Sequence, residues 1–376
     1  MMRILFWSCT FWPNIGGVEV SAAMLLPALR KRGFEFVVVT PKSPADLPDE
    51  GHYDGFPIYR FAFRNHLSAR SIDDVIATKQ RLAALKRAFA PDLIHINCVG
   101  LDNFFHLATI NAHQAPILVT LHGKWSERVD TVVAETLRSA HWVAGCSSAI
   151  LEYGRKLVPE IISRSSVIHN GVEPFCAPAP LPFQPPRLLC LGRLVPEKGF
   201  DLALIAFLTV LNRFPTAQLV IVGDGPEKKS LEMQALDQGI HHSVHFAGWL
   251  APNKVTELMN SSTMVLLPSR QESFPLVALE AAAMARPVVV SSVGGLPEIV
   301  LHGQTGLIVE NENSDRLADA ILFLLQHPAV AAQMGQKARD RVQAEFSWKT
   351  QVDAYDRLYR TMVYGAISTS AASSSA

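Results

Sequence analysis

Short apolar runs recur along the chain, each followed by a polar or glycine-bearing loop and then by apolar residues at helical spacing. Ile4, Leu5, Phe6 and Trp7 form the first run, and its continuity predicts a strand buried on both faces. After the loop 9–17, Val18, Ala22, Leu25, Leu26 and Leu29 mark one face of a helix that Gly33 closes. The same alternation predicts strands at 34–40, 57–63, 92–96, 116–123 and 141–145, and helices at 70–89, 127–139 and 147–157. Residues 41–56, rich in Pro, Asp and Gly, read as loop. Strands alternating with helices predict an α/β, doubly wound, mostly parallel sheet.

The pattern then starts again. Six prolines between 174 and 186 suit a semi-rigid linker that joins neither sheet nor helix. Beyond it, strands are expected at 187–193, 218–225, 244–250, 264–267 and 287–290, and helices at 200–214 and 276–285. Two final helices, about 314–346 and 348–364, have no strand between them. The expected division is a first Rossmann-like domain at 1–173, a linker at 174–186 and a second domain at 187–347. Residues 365–376 are small and polar and predict a disordered tail. A chain of 376 residues is too long for one ordinary core and suits two such domains.

Composition mainly excludes. With 34 basic and 34 acidic residues, the chain does not have the charge of a nucleic-acid binder. The cysteines Cys9, Cys98, Cys146, Cys176 and Cys190 are scattered without metal-ligand spacing, which suits a reducing cytoplasm. No apolar run is long enough to span a bilayer, and the N-terminus reads as a core strand. The helix 70–89 carries Arg70, Lys79, Arg81, Lys86 and Arg87, diluted by Asp73 and Asp74. A solvated face is its ordinary meaning, and peripheral membrane contact at the inner face stays open.

The chemistry concentrates in residues 264–306: an apolar run, a loop holding Glu272, a helix holding Glu280, and a second apolar run. Between 276 and 285 Glu280 is the only polar side chain, and a buried carboxylate is costly without donors. The free N–H groups after Ser273 and the positive helix end form an anion site. A diphosphate at that helix tip and a diol on Glu280 describe a nucleotide. Pairing of Glu280 with Arg286 or Arg270, with Glu272 merely solvating a loop, is equally open on spacing alone. In GRLVPEKG, Arg193 and Lys198 flank a strand-to-helix turn, where two fixed cations would stabilise a departing diphosphate. Gly16 and Gly17 allow close approach of backbone to a ligand, or simply make a turn. His122 ends a strand at the ligand edge of its sheet. No third glycine follows the GDG at 223–225, so the dinucleotide fingerprint is absent and a nicotinamide-dependent oxidoreductase is disfavoured.

Glu272 and Glu280 in ESFPLVALE, followed by RPVVVSSVGGLPEIV and HGQTGLIV, resemble the signature block of retaining, nucleotide-sugar-dependent glycosyltransferases of family 4, which have the GT-B fold. The GGVE, TLHG, HNGV and GRLVPEKG elements extend the resemblance over most of the chain. It implies two Rossmann-like domains facing across a cleft, with the last helix packed back on the first. It implies that Gly16 and Gly17, commonly in a Gly-Gly-x-Glu pattern with Glu19, approach the donor, and that His122 contacts the donor sugar. Arg193 and Lys198 would meet the diphosphate, Glu272 the sugar hydroxyls and Glu280 the ribose diol. Backbone groups of Phe274, Pro275, Leu276 and Val277 would contact sugar and phosphate, and those of the Gly248 turn the base. Two departures stand out: Asn97 where a His-x-His pattern starting at His95 is common, and Ala285 where Gly is common.

The implied activity is transfer of a hexose-type sugar from a UDP-, GDP- or ADP-sugar to a hydroxyl acceptor, with retention, in glycan, polysaccharide or glycolipid synthesis. The donor is a substrate, and neither cofactor nor metal is expected. An epimerase or hydrolase on the same fold would turn over donor without acceptor. A non-catalytic binding module would hold donor without releasing diphosphate.

Overall fold

The computed structural model describes residues 1–14, 16–69, 71–173 and 177–373. Arg70, Pro174 and Cys176 lie outside them. Two compact units result, one of residues 1–169 with the chain from Gln351 onward, the other Asn170–Thr350.

The first unit is built on eight strands: β1 (Met2–Trp7), β2 (Phe34–Pro41), β3 (Glu50–Tyr53), β4 (Phe56–Phe61), β5 (Leu93–Ile96), β6 (Ile117–Leu121), β7 (Trp142–Gly145) and β8 (Ser165–Val167). Their order is β3-β4-β2-β1-β5-β6-β7-β8. All pairs are parallel except β3–β4. Ile4 to Trp7 are fully buried, as a strand covered by helices on both faces requires. The second unit has six strands: β9 (Arg187–Leu191), β10 (Gln218–Val222), β11 (Val244–Gly248), β12 (Met264–Leu267), β13 (Val288–Ser291) and β14 (Leu307–Val309). They are wholly parallel, in the order β11-β10-β9-β12-β13-β14. Both sheets are Rossmann-like.

Several elements differ from the sequence expectation. Residues 41–56 are not all loop: β3 and β4 form a hairpin whose turn, Asp54-Gly55, has positive φ at both residues. The expected helix 70–89 is Ile72–Phe89, with a separate helix Phe63–Ala69 before it. Its basic residues do not make one solvated face. Lys86 is fully buried, donating to the carbonyls of His106 and Thr109, and burial pushes its pKa down to about 7. Arg81 pairs with Asp49 and Glu50. The expected helix 314–346 is two, Ser314–Gln326 and Pro328–Glu345, bent by 103°. Pro328 cannot continue a helix and restricts His327 before it. The last helix runs Trp348–Ser373, into the stretch whose composition predicts disorder. Extending an existing helix is far easier than nucleating one. No single helix among the described residues is long and apolar enough to cross a membrane.

That last helix is tied into the first unit by buried polar groups. His95, fully buried, bonds the Tyr359 hydroxyl (2.6 Å) and Thr120 Oγ1 (2.8 Å), while Thr120 also meets Tyr355. Burial holds the His95 imidazole well below its ordinary pKa, so it serves as a neutral hydrogen-bonding hub. Asn170-Gly171-Val172, expected to close the first domain, belongs instead to the second unit. Val172 N–H donates to Phe346 and its carbonyl accepts from Trp348.

Ala285 follows the helix Leu276–Ala283 with φ 54°, in the left-handed region where a Cβ is unfavourable. This gives a structural reason for glycine at the position. Ala285→Gly should stabilise the second unit by about 1 kcal/mol and raise its melting temperature by about 2–4 °C, read by thermal unfolding. An unchanged or lower melting temperature would contradict the strain.

Candidate functional site

In the second sheet the strand order reverses between β9 and β12. Parallel strands that diverge in this way leave a crevice at their carboxyl ends, where open α/β sheets bind ligands. The loop leaving β9 carries Arg193 and Lys198. The loop leaving β12 carries Ser269, Arg270 and Glu272, and runs into the helix Leu276–Ala283. Topology therefore places residues from two distant stretches of the sequence, around 193–198 and 269–272, on neighbouring loops.

Lys198 Nζ lies 2.6 Å from Glu272 Oε1, with the two side chains 23% and 8% exposed. Ser269 Oγ donates to the same oxygen at 2.9 Å. Glu272 Oε2 has no hydrogen bond among the described residues and stays available as an acceptor. The loops approach so closely because two glycines adopt positive φ. A Cβ on Gly199 would strike the Pro268 carbonyl, and one on Gly294 the Glu272 carbonyl. Arg193 is exposed and makes no ion pair among the described residues. The following helix starts at Pro275 without a side-chain cap. Leu276 and Val277 N–H have no acceptor among the described residues, so the helix end offers two donors and its positive dipole.

Glu280 lies one turn further on, half-buried, its carboxyl making no hydrogen bond or ion pair among the described residues. Burial pushes its pKa up to about 7. The two arginines considered as its partners are engaged elsewhere. Arg286 is buried and donates to the carbonyls of Met284, Asn260, Ser262 and Ala179. Arg270 is bonded to Asp201, Glu312 and the Pro196 carbonyl. Glu280 is thus a half-buried carboxyl without a protein donor among the described residues. Phe274 and Pro275 line the same loop, and Asn170 Nδ2 donates to the Phe274 carbonyl at 3.3 Å. Gly248 ends β11 with positive φ on the same sheet edge, its carbonyl accepting from Gly223 N–H at 2.8 Å.

In the first unit the order reverses between β1 and β5. The β1 loop leads to the helix Gly17–Arg30, where Glu19 in the first turn lies over Gly16. Neither Gly16 nor Gly17 has a φ that requires glycine, and space around Gly17 is open. His122, at the end of β6, donates from Nε2 to Asn97 Oδ1 at 3.1 Å, and burial pushes its pKa down to about 4. It is neutral at pH 7, with Nδ1 as its acceptor. Cys9 and Cys98, 89 residues apart, meet at the ends of β1 and β5, a juxtaposition their spacing did not announce.

Two family models match consecutive parts of the chain: Glycosyltransferase Family 4 over residues 15–174 and Glycosyl transferases group 1 over residues 177–341. The glycogen synthase of Mycobacterium tuberculosis is 29% identical over 95% of this chain and 94% of its own. A GDP-mannose-dependent phosphatidylinositol monomannoside mannosyltransferase from the same species is 37% identical over 44% of this chain and 45% of its own. Sucrose-phosphate synthase from Thermosynechococcus elongatus superposes with a TM-score of 0.83 at 24% identity, covering 97% of this chain and all of that one. Anabaena Alr3699/HepE in complex with UDP superposes with a TM-score of 0.77 at 21% identity, covering 96% of this chain and all of that one. The chain belongs to the group 1, family 4 glycosyltransferases and has the GT-B fold.

Sequence reasoning left Asn97 without a role and passed over Ser269 and Asn170. Asn97 and Asn170 lie beside recognisable motifs, but only the fold shows that Asn97 orients His122 and Asn170 the Phe274 loop.

The raised pKa of Glu280 has a consequence for stability. Between the ordinary carboxyl value of about 4.5 and about 7, the unfolded chain ionises while the folded one stays protonated, so stability falls as pH rises through this window. Glu280→Gln should therefore raise the melting temperature of the unliganded protein at pH 8 and leave it nearly unchanged at pH 4.5. Equal effects at both pH values would mean the carboxyl is not desolvated.

Proposed function

We propose that this glycosyltransferase moves a hexose-type sugar from a nucleotide-sugar donor to a hydroxyl acceptor with retention, and without a metal. The observation that carries this reading is the convergence at the β9–β12 reversal. There the loops that leave β9 and β12 carry the exposed Arg193 and the Lys198–Glu272 pair, and the open helix end at Leu276 lies one helical turn before the unpartnered Glu280. The chemistry is departure of a nucleoside diphosphate, in which negative charge grows on phosphate oxygen and positive charge on the sugar ring. Lys198 and the N–H groups of Leu276 and Val277, fixed in place before the reaction, stabilise the first together with Arg193. Glu272, with one oxygen still free, accepts hydrogen bonds from sugar hydroxyls. Glu280 accepts from the ribose diol and so recovers the hydrogen bonds that burial took from it.

Retention by a covalent route would need a carboxylate nucleophile beneath the ring. Glu272 engages Lys198 and Ser269 through Oε1 alone, and its free oxygen is assigned to accepting sugar hydroxyls rather than to attack on the ring. We therefore assign a front-face substitution in which the leaving phosphate accepts the acceptor's proton. The neutral Nδ1 of His122 suits a sugar hydroxyl. The relatives' names, a glycogen synthase and a GDP-mannose-dependent mannosyltransferase, favour a glycan or glycolipid product.

With chelator present, the purified protein should release diphosphate from one of a panel of UDP-, GDP- and ADP-sugars. Lys198→Ala should lower kcat by about 10²–10³, as for loss of one fixed donor to a developing anion. Glu280→Ala should act mainly on donor KM. Loss of release with chelator contradicts metal independence. Binding without release favours a non-catalytic module, and release undiminished by Lys198→Ala contradicts the site.

A further inference from the structure

Arg270 lies between Ser269 and Glu272, yet its side chain bonds elsewhere. Its guanidinium grips Asp201, at the start of the helix Phe200–Leu211, with both Nη atoms at 2.8 and 2.7 Å. Nη1 also donates to the Pro196 carbonyl at 2.8 Å, and Nε to Glu312 Oε1 at 3.0 Å. The Arg270 backbone N–H donates to the Glu197 carbonyl at 2.8 Å. Pro196 and Glu197 immediately precede Lys198. One residue thus ties the β12 loop to the β9 loop through backbone and side chain, two positions from Glu272 on one loop and one and two positions from Lys198 on the other. Glu312 itself stands at φ 56°, a conformation that persists in a non-glycine residue only where surrounding contacts hold it.

We propose that Arg270 is a positioning residue for glycosyl transfer: a strut that fixes the separation of Lys198 and Glu272 without touching donor or acceptor. The inference rests on the function proposed for that site. Magnitudes favour positioning over stability. Arg270 and Asp201 are 27% and 38% exposed, and ion pairs so placed contribute little to folding. A displacement of about 1 Å in a catalytic group, by contrast, can cost about 100-fold in rate. A planar fork gripping a carboxylate from two sides gives directional constraint, which a lysine would not reproduce.

The test combines Arg270→Lys and Arg270→Met with a double-mutant cycle on Lys198→Ala in the full chain. In both Arg270 variants kcat for diphosphate release should fall by roughly 10–100-fold, with donor KM changed less than about threefold and melting within a few degrees of wild type. Amide exchange in residues 197–199 and 270–272 should quicken by about tenfold or more while β9 and β12 keep their protection. In the Lys198→Ala background, Arg270→Met should add less than about twofold. The exchange measurement tests the strut whether or not the site transfers sugar. Unchanged exchange in the two loops, or fully multiplicative rate effects, overturns the inference while the Lys198 result keeps the parent reading. Wild-type turnover in Lys198→Ala removes that reading and the inference with it.

Discussion

The ammonium of Lys198 and the carboxylate of Glu272, 2.6 Å apart and largely shielded from water, join the two loops that leave β9 and β12. Such a pair is costly to bury, and its attraction offsets desolvation only where further hydrogen bonds complete it. Ser269 supplies one. Neither charge is saturated: Glu272 keeps an oxygen and Lys198 keeps donors. An incoming diphosphate and sugar can therefore share these groups without first breaking a closed network. On the function proposed above, this ion pair is a binding site whose polar groups the protein has already oriented.

The backbone makes this arrangement unavoidable. All six strands of the second sheet run the same way, so their following loops lie along one edge. The order reversal between β9 and β12 opens the place where those loops part. Gly199 and Gly294 then bring carbonyls and chain so close that no side chain fits between. Arg270 adds the lateral tie. Glu280 sits on the next helix as the counterweight, a carboxyl kept near neutrality by burial and lacking a protein donor. A protein optimised only for stability would not keep it. Such a group is intelligible where a ligand completes it.

Much of this was legible in the sequence because the governing periods are short. Apolar runs of four to six residues such as Ile4 to Trp7 and Met264 to Leu267 announced buried parallel strands. The eight-residue offset from Glu272 to Glu280 placed one carboxylate on a loop and one on a helix. The single-residue signals were harder. Asp54-Gly55 is a hairpin turn hidden in a proline-rich stretch, and Pro328 splits what apolar periodicity alone reads as one helix. Contacts set by tertiary structure left no local trace. Asn97 reaching His122, Arg270 gripping Asp201, and Cys9 meeting Cys98 depend on which strands become neighbours, and strand order is not written in hydrophobic periodicity. Lys86 shows the converse, a residue whose type predicts exposure but whose place on its helix turns it into the interior.

The central claim is that the carboxyl edge at β9 and β12 holds a nucleoside diphosphate. It is tested most directly by determining the structure of the protein with the nucleoside diphosphate of its preferred donor. The diphosphate oxygens should lie within hydrogen-bond distance of Lys198 Nζ and the N–H groups of Leu276 and Val277, with both ribose hydroxyls on the Glu280 carboxylate. A nucleotide seated elsewhere, or a ribose that leaves Glu280 without a donor, would contradict the account.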